Sequence, residues 1–280
     1  MPCVEILGLS APKRRDQSPS QFKPNAINPH TSPSPATSTA SKQLRRRRHH
    51  LFSIPPQIST NLSDLDATAT KVSMVFLSWG RPTPQEQKAC IDRSGSFNYD
   101  PKFKGATAKS LSSLQEDKGL SKDGFLLNHS RNLVGSGLDA YEKGKMALQD
   151  WRHFGLNWAF VDPKTPVQNG VKFCVCVKEF LPWVMMPLQV VYVNENKRSK
   201  QAMASFRFGG GTLQGHLLAG EERFSIELDE NNQVWYEILS FSKPAHLLSF
   251  IGYPYVMLKQ KYFAHQSTNA MMKHLNASKS

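Results

Sequence analysis

The sequence has few of the features that mark a secreted, membrane-spanning or hydrolytic protein. It contains four cysteines in 280 residues, too few and too scattered for a disulfide framework, which indicates a reducing compartment. Its longest apolar run, residues 180–193, is shorter than the roughly 20 residues that a spanning helix needs, and prolines interrupt it. The absence of a Gly-x-Ser-x-Gly elbow and of a His-Glu-x-x-His motif argues against an easily recognised hydrolase.

Residues 1–73 lack the residue types that build a core. They hold only Phe22 and Phe52 among the aromatic residues and only Gly8 among the 17 glycines, but 9 of the 18 prolines and 17 serines or threonines. Such a segment buries too little apolar surface to offset its ordering entropy. The composition therefore predicts a disordered, basic, Ser/Pro-rich tail over residues 1–73.

The role of this tail stays open between several alternatives. Its Ser-rich, acid-poor composition is typical of an organelle transit peptide, and the basic run at residues 42–50 is typical of nuclear import or polyanion binding. A plain solvated tail is a further alternative, and an upstream extension before a translation start at Met74 explains the composition as well as a transit peptide does. These alternatives favour a plastid or the cytosol over the nucleus.

The net charge of +13 is spread along the chain rather than concentrated. The tail contains 10 basic and 4 acidic residues, and residues 74–280 contain 25 and 18. We therefore expect no nucleic-acid-binding face.

The remaining sequence predicts a loop-rich lead-in at residues 74–123, a folded domain at residues 124–275 and a short tail at residues 276–280. In the lead-in, Phe97, Tyr99 and Phe103 are the expected anchors to the domain. The domain pattern gives a strand, a helix, several strands with alternating apolar residues, and a long C-terminal helix. Asn231 and Asn232 predict a hairpin turn between the last two strands.

The C-terminal helix is expected over residues 245–275. Leu247, Ile251, Leu258 and Tyr262 share one of its faces, and Gly252 with a following proline predicts a kink. The order of elements predicts an α+β fold, in which a curved antiparallel sheet wraps around this helix.

A sheet wrapped around a helix leaves a cavity unless large side chains fill it, and such cavities bind small molecules. Seven aromatic residues can point inward as ligand-binding residues or as core: Trp158, Phe173, Tyr192, Phe206, Phe208, Phe224 and Trp235.

Four segments carry a family resemblance: DWRHFGLNWAFVDP, KEFLPWVMMPLQVVYV, GTLQGHLLAGEERFSIEL and VWYEILSFSKPAHLLSFIGYPYV. Together they closely resemble a conserved family of plants and bacteria, domain of unknown function nineteen-ninety. The resemblance brings no established reaction. Its strand order is similar to the helix-grip fold of START-type lipid-transfer domains and pollen-allergen-like proteins, which implies a fold but not a function.

Two residues are candidates for acid–base chemistry. Glu237 shares a strand face with Trp235, and if that face lines the cavity, desolvation would raise its pKa and suit it to proton transfer. If the opposite face points inward, Glu237 lies in water. His216 stands before a charged run, Glu221, Glu222 and Arg223, expected as a loop between strands.

Two other motifs are better explained by packing than by chemistry. Cys174 and Cys176 share a strand face, but zinc sites usually have two to four residues between paired cysteines. Gly209, Gly210 and Gly211 lack the Lys-Ser/Thr of a phosphate-binding loop, so a hairpin or bulge is expected. We predict no metal and no cofactor.

The sequence is compatible with three functions. The favoured one is a module that binds a lipid or another apolar small molecule in the cavity. The alternatives are a cyclase- or hydratase-like enzyme that uses Glu237 and His216, and a protein that contacts membrane surfaces through residues 181–186.

Overall fold

The computed structural model describes residues 75–197 and 204–277. Its strands are β1 (Phe76–Ser78), β2 (Leu126–Ser136), β3 (Ala159–Phe160), β4 (Lys172–Lys178), β5 (Trp183–Lys197), β6 (Ala204–Thr212), β7 (Leu218–Leu228) and β8 (Gln233–Pro244). Its helices are α1 (Pro84–Arg93), α2 (Leu111–Gln115), α3 (Lys118–Lys122), α4 (Gly137–Gln149), α5 (Leu247–Ile251) and α6 (Tyr253–Ala277). The tail predicted at residues 1–73 lies outside the described residues.

The strands form one antiparallel sheet in the order β2-β8-β7-β6-β5-β4-β3. The short strand β1 pairs with the first residues of β5. The sheet curls around α4 and α6, so the predicted α+β fold, a curved antiparallel sheet around a C-terminal helix, is confirmed. Asn232 adopts a φ of 59° in the β7–β8 turn, a conformation that Asn tolerates well, so the predicted hairpin turn is confirmed too.

Alternation along each strand gives the sheet two faces, and both are covered. The inner face packs against α4 and α6 and carries Val234, Tyr236 and Ile238 of β8. The outer face packs against residues 97–125 and carries Leu239 and Phe241. Because helices or turns cover both faces, apolar residues occur at successive positions in β8, not only at alternate ones.

The described part of the predicted lead-in, residues 75–123, packs on the sheet and belongs to the folded unit. A capping box between Thr83 and Glu86, with Pro84 in the first turn, begins α1. Tyr99 and Phe103 are buried on the outer face and Phe97 is partly buried against them. Strand β1 extends the sheet itself.

The C-terminal region is interrupted at Gly252, where the kink was predicted, although the interruption separates two helices. Its buried face differs from the prediction. The stripe of Leu247, Ile251, Leu258 and Tyr262, expected to pack against the sheet, is exposed at 67%, 72%, 66% and 48%. Helix α6 instead buries the opposite face, which includes Ser267, Met271 and Leu275.

The segment at residues 181–186, proposed above as an exposed membrane contact, is mostly buried. Trp183, Val184 and Met185 lie in β5 with 5–6% of their surface exposed, and only Leu181, at 75%, is open to solvent. Within the two described ranges, no helix has both the length and the apolar character needed to cross a membrane.

Candidate functional site

Side-chain size changes abruptly along the inner face of β6, β7 and β8. In one cross-strand row, Phe208 pairs with Phe224, which pairs with Ile238. In the next inward-facing row, Gly210 pairs with Glu222, which pairs with Ser240. The aromatic row fills the space under the helices, whereas the small residues leave a cavity beneath the N-terminal half of α6.

This cavity has a volume of about 180 Å³ and a mostly apolar wall. Its apolar lining comes from β4, β5, the segment before β3 and α6: Phe154, Trp158, Val175, Val177, Met186, Leu188, Val256 and Phe263. Its polar side chains include His216, Glu222, Ser240 and Gln260. The site therefore combines a mostly apolar chamber with polar groups from both the sheet and α6, which is the usual make-up of a small-molecule site.

Glu222 is an acidic side chain in the wall of this cavity. Its carboxyl makes no hydrogen bond or ion pair among the described residues. Removal from water raises the pKa of Glu222 to about 7. Near neutral pH this carboxyl is thus divided between its acid and carboxylate forms, so it can donate a hydrogen bond, accept one, or exchange a proton with a bound molecule.

Glu222 also lines a second space, which we call the polar groove. This groove runs between β2, β8 and α6, has a volume of about 400 Å³, and is lined by Asn128, Ser130, Asn132, Lys261, His265 and Thr268 among others. Asn128 donates a hydrogen bond to Gln260 of α6 at 2.9 Å. Glu222 therefore stands where an apolar chamber and a polar groove meet.

His216 lines the same cavity just before β7 begins. Its Nδ1 lies 2.9 Å from both the Leu218 carbonyl oxygen and the Leu218 N–H, so it donates to the first or accepts from the second, depending on which ring nitrogen carries the proton. Burial lowers the pKa of His216 to about 4, although a hydrogen bond to the Leu218 backbone opposes the shift. His216 is therefore a neutral imidazole at pH 7, and no hydrogen bond joins it to Glu222 within the described structure.

Trp158 contributes an indole to the wall. Its ring stacks on Tyr262 at a centroid distance of 5.4 Å, and the Lys259 ammonium lies 4.4 Å from its centroid. Its Nε1–H is buried and has no hydrogen-bond partner in the part of the chain that the structure describes. Trp158 is the only one of the seven predicted aromatic residues that lines this cavity, and its role in binding a ligand stays a prediction.

The other six predicted aromatics lie elsewhere. Phe173, Phe206, Phe208 and Phe224 face inward but fill the core with Trp151 and the fully buried His153. Tyr192 and Trp235 lie on the outer face, where the Tyr192 hydroxyl meets Thr107 and the Trp235 indole donates to Asp229 at 2.8 Å. Their expected inward orientation is corrected because β5 has a bulge next to Tyr192 and because Trp235 has the opposite parity from Tyr236.

Glu237 also lies on the outer face, so it does not line the cavity. It is not in open water either, because Arg223 donates to it at 2.8 Å and Ser225 at 3.1 Å, while His129 contacts it at 2.8 Å. Burial alone would raise the pKa of Glu237, but the Arg223 charge and these hydrogen bonds lower it. The raised pKa that an inward-facing Glu237 would have is found at Glu222 instead.

The predicted charged loop is a strand, and its charges divide between the two faces. Glu221 and Arg223 point outward and are 2% and 3% exposed. Glu221 accepts hydrogen bonds from the Gly105 N–H at 2.8 Å, the Thr107 N–H at 2.9 Å and the Tyr99 hydroxyl at 3.1 Å. Arg223 donates to the carbonyls of Thr107 and Lys109. These two residues fasten the lead-in to the sheet.

The cysteines form a buried apolar contact. Cys174 Sγ lies 3.8 Å from both Cys90 Sγ and Cys176 Sγ. Hydrogen bonds with the neighbouring thiols, together with burial, raise the pKa of Cys174 and so disfavour the thiolate that metals require. Among the described residues, no group of three or more His, Cys, Asp or Glu side chains is placed to hold a metal ion.

The three glycines of β6 are sites of close packing. They lie in the strand, opposite the bulge in β5. A Cβ at Gly209 would overlap the Tyr192 ring, and one at Gly210 would lie 3.0 Å from Phe173. Side chains cover both faces of this segment, which is not the open backbone of a phosphate-binding loop.

Replacement of Gly211 by Ala is expected to destabilise the protein by about 1–3 kcal/mol, because the added methyl overpacks a filled site. Its Cβ would overlap the Tyr99 hydroxyl and lie 2.9 Å from Phe97 and Val191. Gly80→Ala is the matched control, since nothing lies within 4 Å of that position. Urea unfolding of both variants measures the effect, and equal midpoints would show that the lead-in yields to the methyl group.

Comparison with known proteins identifies the family. Residues 112–270 match a family described as "Domain of unknown function (DUF1990)". The chain belongs to the DUF1990 family. The matched region of this DUF1990 protein includes β2 to β8 and most of α6, and with them Glu222, His216 and Trp158.

Relatives of the DUF1990 protein occur in other organisms. A UPF0548 protein of Arabidopsis thaliana is 64% identical over 205 residues, which cover 73% of this chain and 100% of the relative. A UPF0548 protein of Deinococcus radiodurans is 31% identical over 193 residues, covering 64% and 89%. Among solved structures, a norcoclaurine synthase point mutant of Thalictrum flavum has a TM-score of 0.36 and 11% identity, covering 56% of this chain and 97% of that chain. So low a score supports no conclusion about function.

Proposed function

We propose that this protein binds a small, largely apolar molecule that carries one hydrogen-bonding group. The observation that carries the proposal is Glu222, a carboxyl that has no partner among the described residues and lies in the wall of a mostly apolar cavity. The Glu222 side chain is only partly buried, but a polar group that loses part of its hydration without gaining a partner is costly. A ligand that supplies the missing hydrogen bond would recover that cost, and a purely apolar ligand would not.

The size of the cavity limits the class of ligand. Its volume is about 180 Å³, and a cavity of roughly 150 Å³ accommodates benzene. The chamber therefore suits one or two fused rings, or a short acyl segment, rather than a whole phospholipid. This narrows the lipid or apolar molecule expected from the sequence to a ring-sized compound.

Indole and 1-methylindole test this proposal, because they have nearly the same shape and differ in one N–H donor. We expect the full chain to bind indole about tenfold more tightly, since a hydrogen bond to a charged group contributes about 1.5–3 kcal/mol. Glu222→Leu should remove that preference. Glu227→Gln is the matched control, because it changes a carboxylate on the outer face of the same strand. Titration calorimetry gives both affinities.

A filled cavity provides the second half of the test. Ser240 lies beside Glu222 in the cavity wall, and Ser240→Leu should abolish binding of both compounds by occupying their space. Binding that survives Ser240→Leu, or no binding of either compound by the wild-type chain, would refute the proposal. Native mass spectrometry of the purified chain, followed by extraction, would then identify any larger compound that it carries.

A second candidate function is acid–base catalysis in the same cavity. The favouring observation is that the pKa of Glu222, at about 7, matches a working pH near neutrality, and neutral His216 shares the chamber. Glu222→Gln separates the two functions once a natural compound has been recovered. Loss of turnover with retained binding would indicate an enzyme, whereas unchanged chemistry would leave a binding module.

A further inference from the structure

Helix α5 has its polar and apolar sides reversed relative to a helix that packs for stability. Its one buried residue is Ser249, whose hydroxyl donates to the Leu217 carbonyl at 2.6 Å. Its four apolar residues all face solvent, with 61–72% of their surface exposed: Leu247, Leu248, Phe250 and Ile251. Such an arrangement stabilises the isolated fold very little, so the exposed side chains require another explanation.

The exposed apolar surface continues beyond α5. Phe180, at the β4–β5 turn, is 84% exposed and stacks on Tyr255 of α6 at a centroid distance of 5.9 Å. Phe180 has a φ of 53°, a left-handed conformation that bulky side chains rarely adopt, and such outliers concentrate at functional sites. We name this surface the apolar patch, which consists of Phe180, Leu181, Leu247, Leu248, Phe250, Ile251, Tyr255 and Leu258.

The charges around the apolar patch are mainly positive. Within the described residues, α5 and α6 contain no Asp or Glu, and Lys259 and Lys261 lie in the turn of α6 that follows Leu258. Lys178, next to the β4–β5 turn, is exposed as well. The nearby acidic residue Glu179 is already engaged by Lys259 at 3.4 Å and by the Tyr255 hydroxyl at 2.6 Å.

This charge pattern favours one kind of binding partner for the apolar patch. Apolar side chains flanked by lysines match an anionic bilayer, where the chains enter the headgroup boundary and the lysines meet phosphates. A second copy of this chain would bring the same lysines face to face across a symmetric contact, which charge repulsion opposes.

We propose that the apolar patch docks on the surface of an anionic phospholipid bilayer, with α5 and the β4–β5 turn entering its interfacial layer. This inference does not depend on what the cavity binds. It does place Tyr255, which lines the cavity, at the boundary between the cavity and the bilayer.

Vesicle co-sedimentation of the full chain tests the proposal. The vesicles contain phosphatidylcholine alone or mixed with phosphatidylglycerol. We expect binding to the anionic vesicles that weakens with salt, and a loss of about tenfold or more in a triple variant, Leu248→Ser with Phe250→Ser and Ile251→Ser. Because these side chains are exposed, the thermal midpoint should not fall. Leu138→Ser with Met146→Ser is the matched control, since both residues are exposed on α4.

A fluorescent label separates docking of the patch from attraction by the basic run at residues 42–50. An environment-sensitive dye on Phe250→Cys, in a Cys3→Ser background, should brighten and shift to the blue on anionic vesicles, whereas the same dye on Leu138→Cys should not. Cys90, Cys174 and Cys176 are buried, which keeps the label at the chosen site.

Three results would overturn the proposal. The first is equal binding of the triple variant and its control. The second is a dye at position 250 that does not respond to vesicles. The third is self-association of the wild-type chain without vesicle binding, lost in the triple variant, which would make a second copy the occupant.

Discussion

Glu221→Ala is expected to lower the free energy of unfolding by about 3–5 kcal/mol, the cost of breaking a buried charged network by removing one partner. The Glu221 carboxylate is the common acceptor for Tyr99, Gly105 and Thr107. Its removal leaves the N–H groups of Gly105, which is partly buried, and of Thr107, which is fully buried, without this acceptor. It also leaves the buried guanidinium of Arg223 with one carboxylate fewer in its surroundings.

The loss of stability in Glu221→Ala should affect the lead-in more than the centre of the sheet. The lead-in is joined to the outer face by this network and by the cluster around Tyr99 and Phe103, so Glu221→Ala should weaken both together. Hydrogen exchange at the Gly105 and Thr107 amides should become faster than exchange at the centre of β7. Denaturant unfolding gives the total loss, which is a large fraction of the about 5–15 kcal/mol typical of folded proteins.

Glu227→Ala provides the comparison for Glu221→Ala. Glu227 lies on the same face of the same strand, but its side chain is 38% exposed and pairs with Arg131 at 3.2 Å. Surface pairs of this kind contribute about 0–1 kcal/mol. If the two alanine variants unfolded at the same denaturant concentration, the network would not be what holds the lead-in to the sheet.

The strands could be predicted from the sequence, but the faces of the strands could not. Alternation identifies a face only when one side of a sheet is wet. In β8 both Tyr236 and Phe241 are fully buried, on opposite faces, because the lead-in covers the side that would otherwise meet water. The sequence therefore could not show on which face of β8 Glu237 and Trp235 lie, because that depends on the packing of residues 97–125.

The position of the cavity could not be predicted from the sequence for a related reason. It arises where Gly210, Glu222 and Ser240 fall into one cross-strand row. Each is unremarkable in its own strand, and the row exists only once the register of three strands is fixed. The predicted aromatics Phe208 and Phe224 lie in the adjacent row of the inner face, where large rings leave no space.

The C-terminal helix shows the converse ambiguity. Leu247, Ile251, Leu258 and Tyr262 have the spacing of a buried stripe, yet the buried stripe is the one that contains Ser267 and Met271. An amphipathic pattern shows that a face seeks an apolar environment. It does not say whether that environment is the core of the same chain or an external surface.

Glu222→Gln is expected to make the protein more stable by about 1–3 kcal/mol above about pH 7, at 1.36 kcal/mol per pKa unit and allowing for partial solvation. The folded-state pKa of Glu222 is raised from 4.5 to about 7. Between these values the folded chain holds a proton that the unfolded chain has lost. Stability from this group is therefore fully present below about pH 4.5 and is lost as the pH rises through 7.

Two buried histidines also make stability depend on pH, but in the opposite direction to Glu222. The difference in stability between wild type and variant separates the Glu222 effect from theirs. Burial lowers the pKa of His153 to about 3 and that of His216 to about 4, so their contributions are present above about pH 6.5 and are lost as the pH falls. Both histidines occur in both proteins and cancel in the difference. Urea midpoints across the pH range, with Glu227→Gln as control, measure what remains, and a pH-independent difference would contradict the raised pKa.

A stabilising substitution at Glu222 would bear directly on function. At neutral pH the Glu222 carboxyl would lower the stability of the fold, and Gln at the same position would not. Retention of such a carboxyl is better explained by a molecule that it binds than by its packing in the fold. Indole, if its N–H meets Glu222, should stabilise the wild-type chain more than Glu222→Gln and so narrow the gap between them. Equal stabilisation of both proteins would place the ligand in the chamber without contact to the carboxyl, and would leave the unpaired group to a proton-transfer role.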